Sequence, residues 1–170
     1  MPVIDVVPID KPPLNLNIKF MREEEGISQE EIAKKLGVKR STYSLWELEI
    51  NQIPLPRLIE LCKIYSCSID YILALNKKER KYPHMKYDID YTIHHKRLKE
   101  IRKEHNYTQA KIAKKLNTDN GVISRYENGK TLILTSFLRE YSKIFDISAD
   151  YLLGKIDEKI NLKELAKVNS

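Results

Sequence analysis

Residues 108–130 read TQAKIAKKLNTDNGVISRYENGK. Ile112, Ala113 and Leu116 recur at helical spacing and form one apolar face. Asn117 follows where that helix must stop, and Asn tolerates the left-handed backbone that a helix C-terminus often needs. Asp119 is placed to cap a second helix. In that helix Val122, Ile123 and Tyr126 are apolar, whereas Asn120, Gly121, Ser124 and Arg125 are polar or small. The stretch therefore predicts two short helices joined by a tight turn. A helix held on its apolar side by a partner, with Asn, Ser and Arg exposed on the other, is built to enter a groove. Asn makes bidentate contacts to adenine and Arg to guanine in the DNA major groove.

The pattern occurs twice. Subtracting 80 from each position gives a second copy without a gap. Gln29 answers Gln109, Ile32–Leu36 answers Ile112–Leu116, and Ser44 answers Ser124. Trp46 answers Tyr126, Glu47 answers Glu127, and Asp70-Tyr71 answers Asp150-Tyr151. From Ile18 to Ala74, 20 of 57 positions are identical at this offset. Two copies do not make a solenoid, but each is long enough for a small domain with its own core. The predicted organisation is an N-terminal arm (1–17), a first domain (18–76), a linker (77–93), a second domain (94–156) and a C-terminal tail (157–170).

Expected helices in the first domain run over 18–25, 28–36 (with Ser28 and Glu31 as a capping box), 39–48, about 54–65 and 68–75. In the second they run near 95–105, 108–116, 120–128, 135–145 and 148–153. The arm holds four prolines among Val3, Ile4, Val6 and Val7 and reads as extended chain, either packed on a neighbour or free. Tyr82, Tyr87 and Tyr91 of the linker are expected to pack between the domains, with a place beside DNA as the alternative. The tail, with Ile160, Leu165 and Val168 among charges, reads as a weak amphipathic helix.

The formal charge is +6, and residues 81–156 carry all of that excess with 15 basic and 9 acidic side chains. Residues 14–80 hold 11 basic and 10 acidic. A basic surface attracts phosphates by counterion release. No apolar run approaches the roughly 18 residues of a membrane span, and the N-terminus lacks the order of a signal peptide. The expected location is the cytoplasm. Cys62 and Cys67 form one C-x4-C pair without a second pair or a nearby His, which is poor zinc spacing, and both are expected to be buried free thiols. His84, His94, His95 and His105 stand at no metal-ligand spacing. With no Gly-rich phosphate loop and no nucleophile signature, neither enzyme activity nor a cofactor nor a metal is expected.

Thr108-Gln109, Ile112-Ala113, Leu116, Ile123–Glu127 and Asn128-Gly129-Lys130, followed by Ile147–Gly154, resemble the lambda-repressor-like (Cro/cI, Xre-type) helix-turn-helix regulators. The order and spacing over about sixty residues carry the resemblance. It implies an all-α chain of two five-helix domains in tandem, binding double-stranded DNA as a transcriptional regulator, a repressor. The third helix of each domain would read the major groove.

The resemblance also implies residue roles. Gln109 and Gln29 would touch phosphate and brace the reading helix. Asn120, Gly121, Ser124 and Arg125 would face DNA in the second domain, with Asn128 and Lys130 holding the backbone behind them. Lys39, Arg40, Ser41, Thr42 and Ser44 are the corresponding DNA-facing residues of the first domain. Arg22 would pair with Glu47, and Arg102 with Glu127. The first domain departs from the pattern: Leu45 answers Arg125, and Leu48-Glu49-Ile50 answers Asn128-Gly129-Lys130. Glu49 would repel a phosphate. Two readings therefore stand: both domains read DNA, or the second anchors to DNA while the first grips a protein partner through Leu45 and Ile50. The sequence equally leaves open one chain acting alone and a homodimer.

Overall fold

The computed structural model describes residues 14–78 and 81–167. The expected arm, apart from 14–17, lies outside these residues, as does Val168. The first domain contains α1 (Ile18–Glu24), α2 (Gln29–Lys35), α3 (Arg40–Glu47), α4 (Leu55–Tyr65) and α5 (Ile69–Ile72). The second contains α6 (Tyr91–Glu104), α7 (Gln109–Lys115), α8 (Asn120–Glu127), α9 (Thr135–Phe145) and α10 (Ala149–Leu152), followed by α11 (Leu162–Lys167). The architecture is all-α, and none of the described helices is long and apolar enough to cross a membrane.

Local chemistry explains most boundaries. Ser28 and Glu31 form a reciprocal capping box, with Glu31 N donating to Ser28 Oγ at 3.2 Å and Ser28 N to Glu31 Oε2 at 2.7 Å. Thr108 Oγ1 accepts from Lys111 N at the start of α7. The turns after α2 and α7 pass through positive φ, at Gly37 (65°) and at Asn117 (53°). Asp119 stands at the N-cap of α8, but its side chain makes no capping hydrogen bond. The apolar faces meet as the periodicity requires: Met21, Ile32, Tyr43 and Leu58 are buried in the first domain, and Leu98, Ile112, Ile123 and Leu138 in the second. Cys62 and Cys67 are buried and unpaired.

Helix α6 begins at Tyr91, four residues before the expected start at His95. Local propensity is poor there, since Thr92 and Ile93 are β-branched, and tertiary contacts supply the difference. Asp90 caps the helix through Thr92 N at 2.9 Å, and Asp90 N donates to Leu153 O at 2.9 Å. The Arg97 guanidinium lies 4.0 Å from the centre of the Tyr151 ring. Gly154 permits this seam: it has φ +73°, and a Cβ there would meet Asp90 Cβ at 2.7 Å. Of the linker tyrosines only Tyr82 is buried; Tyr87 and Tyr91 are exposed, Tyr91 at 64 %.

The two domains pack through α5 and α10, and the contact is reciprocal. Asp70 accepts from Ala149 N at 2.6 Å, while Asp150 accepts from Ile69 N at 3.0 Å and from Asp70 N at 2.8 Å. Each aspartate thus caps the other domain's last short helix, at positions 80 residues apart. This i-to-j, j-to-i exchange is the signature of a two-fold contact, here made within one chain. Ser148 Oγ and Tyr82 OH also donate to Asp70 Oδ2. Both aspartates are fully buried, as is Lys155, whose Nζ lies 3.9 Å from Asp150 Oδ1. Burial first, and the Asp150 charge second, push the Asp70 carboxyl well above its ordinary value.

Away from this centre the symmetry is broken. Thr135 Oγ1 donates to Ile53 O at 2.7 Å, Ser136 N to Gln52 Oε1 at 2.7 Å and Arg139 Nε to Leu73 O at 2.8 Å. The equivalent donors in the first domain are Leu55, Pro56 and Ile59, which cannot make these side-chain or backbone bonds in return. The segment after α10 returns to the second domain: Ser148 N donates to Ile160 O, and Lys163 N donates to Asp146 Oδ1.

His94 gives the packing of α6 a testable pH dependence. It is buried, and its Nδ1 lies 2.9 Å from Leu152 O. A carbonyl only accepts, so Nδ1 carries the proton. Nε2 has no hydrogen-bond partner among the described residues, so protonating it would bury an unmatched charge. Desolvation therefore lowers the His94 pKa below 6.5. The unfolded chain binds this proton more readily, so stability is lost as pH falls below about 6.5. Chemical denaturation at pH 7.5, 6.5 and 5.5 should show a loss approaching about 1.4 kcal/mol per pH unit at most from this group. The same series on His94→Gln should be flatter; parallel profiles would refute the assignment.

Candidate nucleic-acid interface

The second domain's expected reading residues lie on α8 and the turn after it. Asn120, Gly121 and Arg125 are exposed and Ser124 is half-buried, while Ile123 and Tyr126 face the core. Asn128 and Lys130 are exposed beyond the helix, and Asn128 Nδ2 donates to Ser124 Oγ at 3.2 Å. A Cβ on Gly121 would lie 3.7 Å from the Arg125 guanidinium, an ordinary contact distance, so Arg125 lies back along the helix beside it.

A buried polar relay fixes the angle of this helix. Arg102 on α6 donates through Nε to Glu127 Oε1 at 2.5 Å and through Nη2 to Oε2 at 2.9 Å. Gln109, first residue of α7, donates to Glu127 Oε2 at 2.8 Å. Arg102 also donates to Tyr107 O at 2.6 Å, before α7 begins. Three helices are thereby tied to one carboxylate. The hydrogen bond to Glu127 raises the Arg102 pKa further.

The first domain repeats the device. Arg22 donates to Glu47 at 2.5 and 3.1 Å, and Gln29 to Glu47 at 2.9 Å. Burial raises the Glu47 pKa, but the hydrogen bonds from Arg22 and Gln29 outweigh it and hold the carboxyl below its ordinary value. On α3 and its cap, Lys39, Arg40 and Ser41 are exposed, while Thr42 and Ser44 are half-buried.

The exposed apolar surface differs from the sequence expectation. Leu45 is half-buried; the exposed apolar residues are Phe20 (53 %), Leu48 (64 %) and Ile50 (54 %). The backbone oxygen of Leu45 closes the turn after α3, accepting from Ile50 N and Asn51 N, as that of Arg125 does from Lys130 N and Thr131 N. Glu49 has a left-handed backbone (φ 54°), as its counterpart Gly129 does (φ 68°). Its carboxylate accepts from Leu14 N, and from Leu16 N at 2.8 Å. The charge expected to repel phosphate is turned instead onto the chain entering the first domain.

Between the domains lies an open cleft of about 1030 Å³. Glu49 and Gln52, from the segment after α3, border it together with Val122 and Arg125 of α8. The segment after α3 and the helix α8 therefore border one cleft, which none of Lys39, Arg40, Ser41, Thr42 and Ser44 lines. No group of His, Cys, Asp or Glu among the described residues is arranged to hold a metal.

Sequence reasoning did not foresee the interdomain contacts. Asp70 and Asp150 were visible as matched residues of the repeat, yet an aspartate at the start of a short helix reads equally well as a local cap. Lys155 carried no signal, because the equivalent position is Leu75.

The helix-turn-helix family profile matches this chain twice, at residues 18–72 and 98–152, together well over half its length. The chain is 35 % identical over 69 residues to the uncharacterised HTH-type transcriptional regulator YobD of Bacillus subtilis (strain 168), covering 38 % of this chain and 62 % of that protein. It is 45 % identical over 60 residues to the HTH-type transcriptional regulator ImmR of the same organism, covering 35 % of this chain and 47 % of that one. The chain thus spans about half to three-fifths of the length of the curated relatives it matches. No solved structure matches at a significant level.

Proposed function

We propose, for a chain that belongs to the lambda-repressor-like (Xre/Cro/cI-type) helix-turn-helix family, that it is a DNA-binding transcriptional regulator reading two half-sites with one polypeptide. The observation that carries this is the reciprocal capping of α5 and α10 by Asp150 and Asp70. It joins two helix-turn-helix units as a two-fold dimer joins two chains, with no second subunit. α3 and α8 would each enter a major groove about one helical turn apart, roughly 34 Å.

Covalent linkage raises the effective concentration of the second reading helix once the first has bound. The two helices present different residues, Arg40 and Ser41 against Asn120 and Arg125, so the site would be asymmetric. Such a protein blocks other proteins from the DNA it covers, which is how it would repress, and it would work in the cytoplasm as a binding protein and not an enzyme.

A second reading has its own observation: Phe20, Leu48 and Ile50 are exposed on the first domain. Their counterparts in the second domain are Glu100, Asn128 and Lys130. An apolar surface there favours a protein partner for the first domain, with DNA held by the second.

Selection of binding sites from a random duplex pool separates the readings. Two unlike half-sites support the single-chain dimer, and one half-site alone supports the partner reading. On the selected site, Arg125→Ala should weaken binding by about 5- to 150-fold and relax preference at one base pair, the 1–3 kcal/mol of a lost bidentate contact. Arg40→Ala should weaken it only if α3 reads DNA. An unchanged affinity for Arg125→Ala would remove α8 from the reading role.

A further inference from the structure

Outside the expected reading helices, one face of α6 in the second domain is strongly basic. Lys96, Lys99 and Lys103 lie along it at i, i+3 and i+7, and all three are exposed. With His95, Glu100 and Asn128 they line a groove of about 380 Å³ that starts at the turn after α8. Gly129 lies against His95, with a Cβ placed there meeting the imidazole at 3.3 Å. The groove is thus continuous with the residues assigned above to the DNA backbone.

We infer that this groove binds a DNA phosphate strand, extending the contact of the second domain beyond its half-site. This rests on the DNA-binding reading above. None of the three lysines forms an ion pair among the described residues. Glu127, the buried carboxylate at the groove floor, is already taken by Arg102 and Gln109. Glu100 is the one other acid lining it.

The first domain shows what the same surface looks like without this task. At the equivalent positions stand Leu16, Lys19 and Glu23, and Lys19 pairs with Glu23 at 3.8 Å. In the second domain Lys103 replaces that glutamate. An i, i+4 pair of opposite charge becomes the like-charged pair Lys99/Lys103, which disfavours the helix slightly. Folding alone gains nothing from the change, whereas an anionic strand laid across both lysines is held by it. The excess charge of residues 81–156 thereby acquires a location, and the second domain becomes the stronger electrostatic anchor.

The test measures binding of the full chain to its selected duplex and to an unrelated duplex, between about 50 and 200 mM salt. Lys99→Gln/Lys103→Gln removes two exposed charges. It should lower affinity for both duplexes by a similar factor, about tenfold at the lower salt. It should also reduce the slope of log affinity against log salt by nearly two, since each phosphate contact contributes about 0.9. Lys163→Gln/Lys167→Gln, with the same change in net charge on α11, should leave the slope unchanged. An equal loss in that control, or an unchanged slope in the α6 variant while the wild-type chain binds DNA, would overturn the groove alone. Failure of the wild-type chain to bind any duplex would overturn the DNA-binding reading and the groove with it.

Discussion

Asp150→Ala is expected to lower the unfolding free energy of the chain by about 3 kcal/mol, the lower end of the cost of breaking a buried charged contact from one side. The variant leaves Ile69 N and Asp70 N without acceptors at the start of α5. It also leaves Lys155 fully buried without the carboxylate 3.9 Å away. One effect runs the other way: Asp70 loses a like-charged neighbour that raises its pKa.

The sign of the pH dependence follows from that raised value. Folded Asp70 holds its proton at pH values where the unfolded chain has released it. Its contribution is therefore full below about 3.8 and falls as pH rises through the folded value. Asp150→Asn keeps an acceptor and removes the repulsion, so it should cost less than the alanine. The buried residues of both domains form one continuous core, and loosening the contact that joins its halves should also split a single guanidinium transition into two. A loss under about 1 kcal/mol with one unchanged transition would show that the α5–α10 contact does not hold the domains together.

The second large effect is expected at Glu127. Its side chain is 2 % exposed and that of Arg102 9 %, so the pair is removed from water. Glu127→Ala strands the guanidinium and takes the acceptor from Gln109, for an expected loss of about 3–5 kcal/mol. Glu127→Gln, which keeps one oxygen and the side-chain shape, should fall between. DNA affinity should drop further than stability alone explains, because α8 is oriented through this carboxylate. A change under about 0.5 kcal/mol, the usual size for an exposed position, would refute the relay.

Much of the site lay close to the surface of the sequence. The turn at Asn117, the capping box at Ser28 and Glu31 and the apolar faces of α7 and α8 depend on residues within one or two helical turns. Periodicity and cap chemistry report such features directly. Other features were opaque for a definite reason. The early start of α6 contradicts local propensity and exists because Asp90, His94 and Arg97 meet α10 and the residues after it. Leu45 reads as an exposed apolar residue on α3 and is half-buried. Glu49 reads as a charge facing outward, and its partner is the backbone at residues 14 and 16.

By itself the sequence determined that this protein is two copies of one helical unit, where each copy's third helix begins and ends to within a residue, and which copy carries the positive charge. These are properties of spacing, and spacing is local. Only the tertiary structure decided that the copies face each other as a two-fold pair, that Asp70 and Asp150 cap each other's helices, and that Lys155 lies buried beside them. A polar side chain carries no mark in the sequence of whether water or another domain will satisfy it. That is settled by which surfaces meet, through contacts between residues about 80 positions apart.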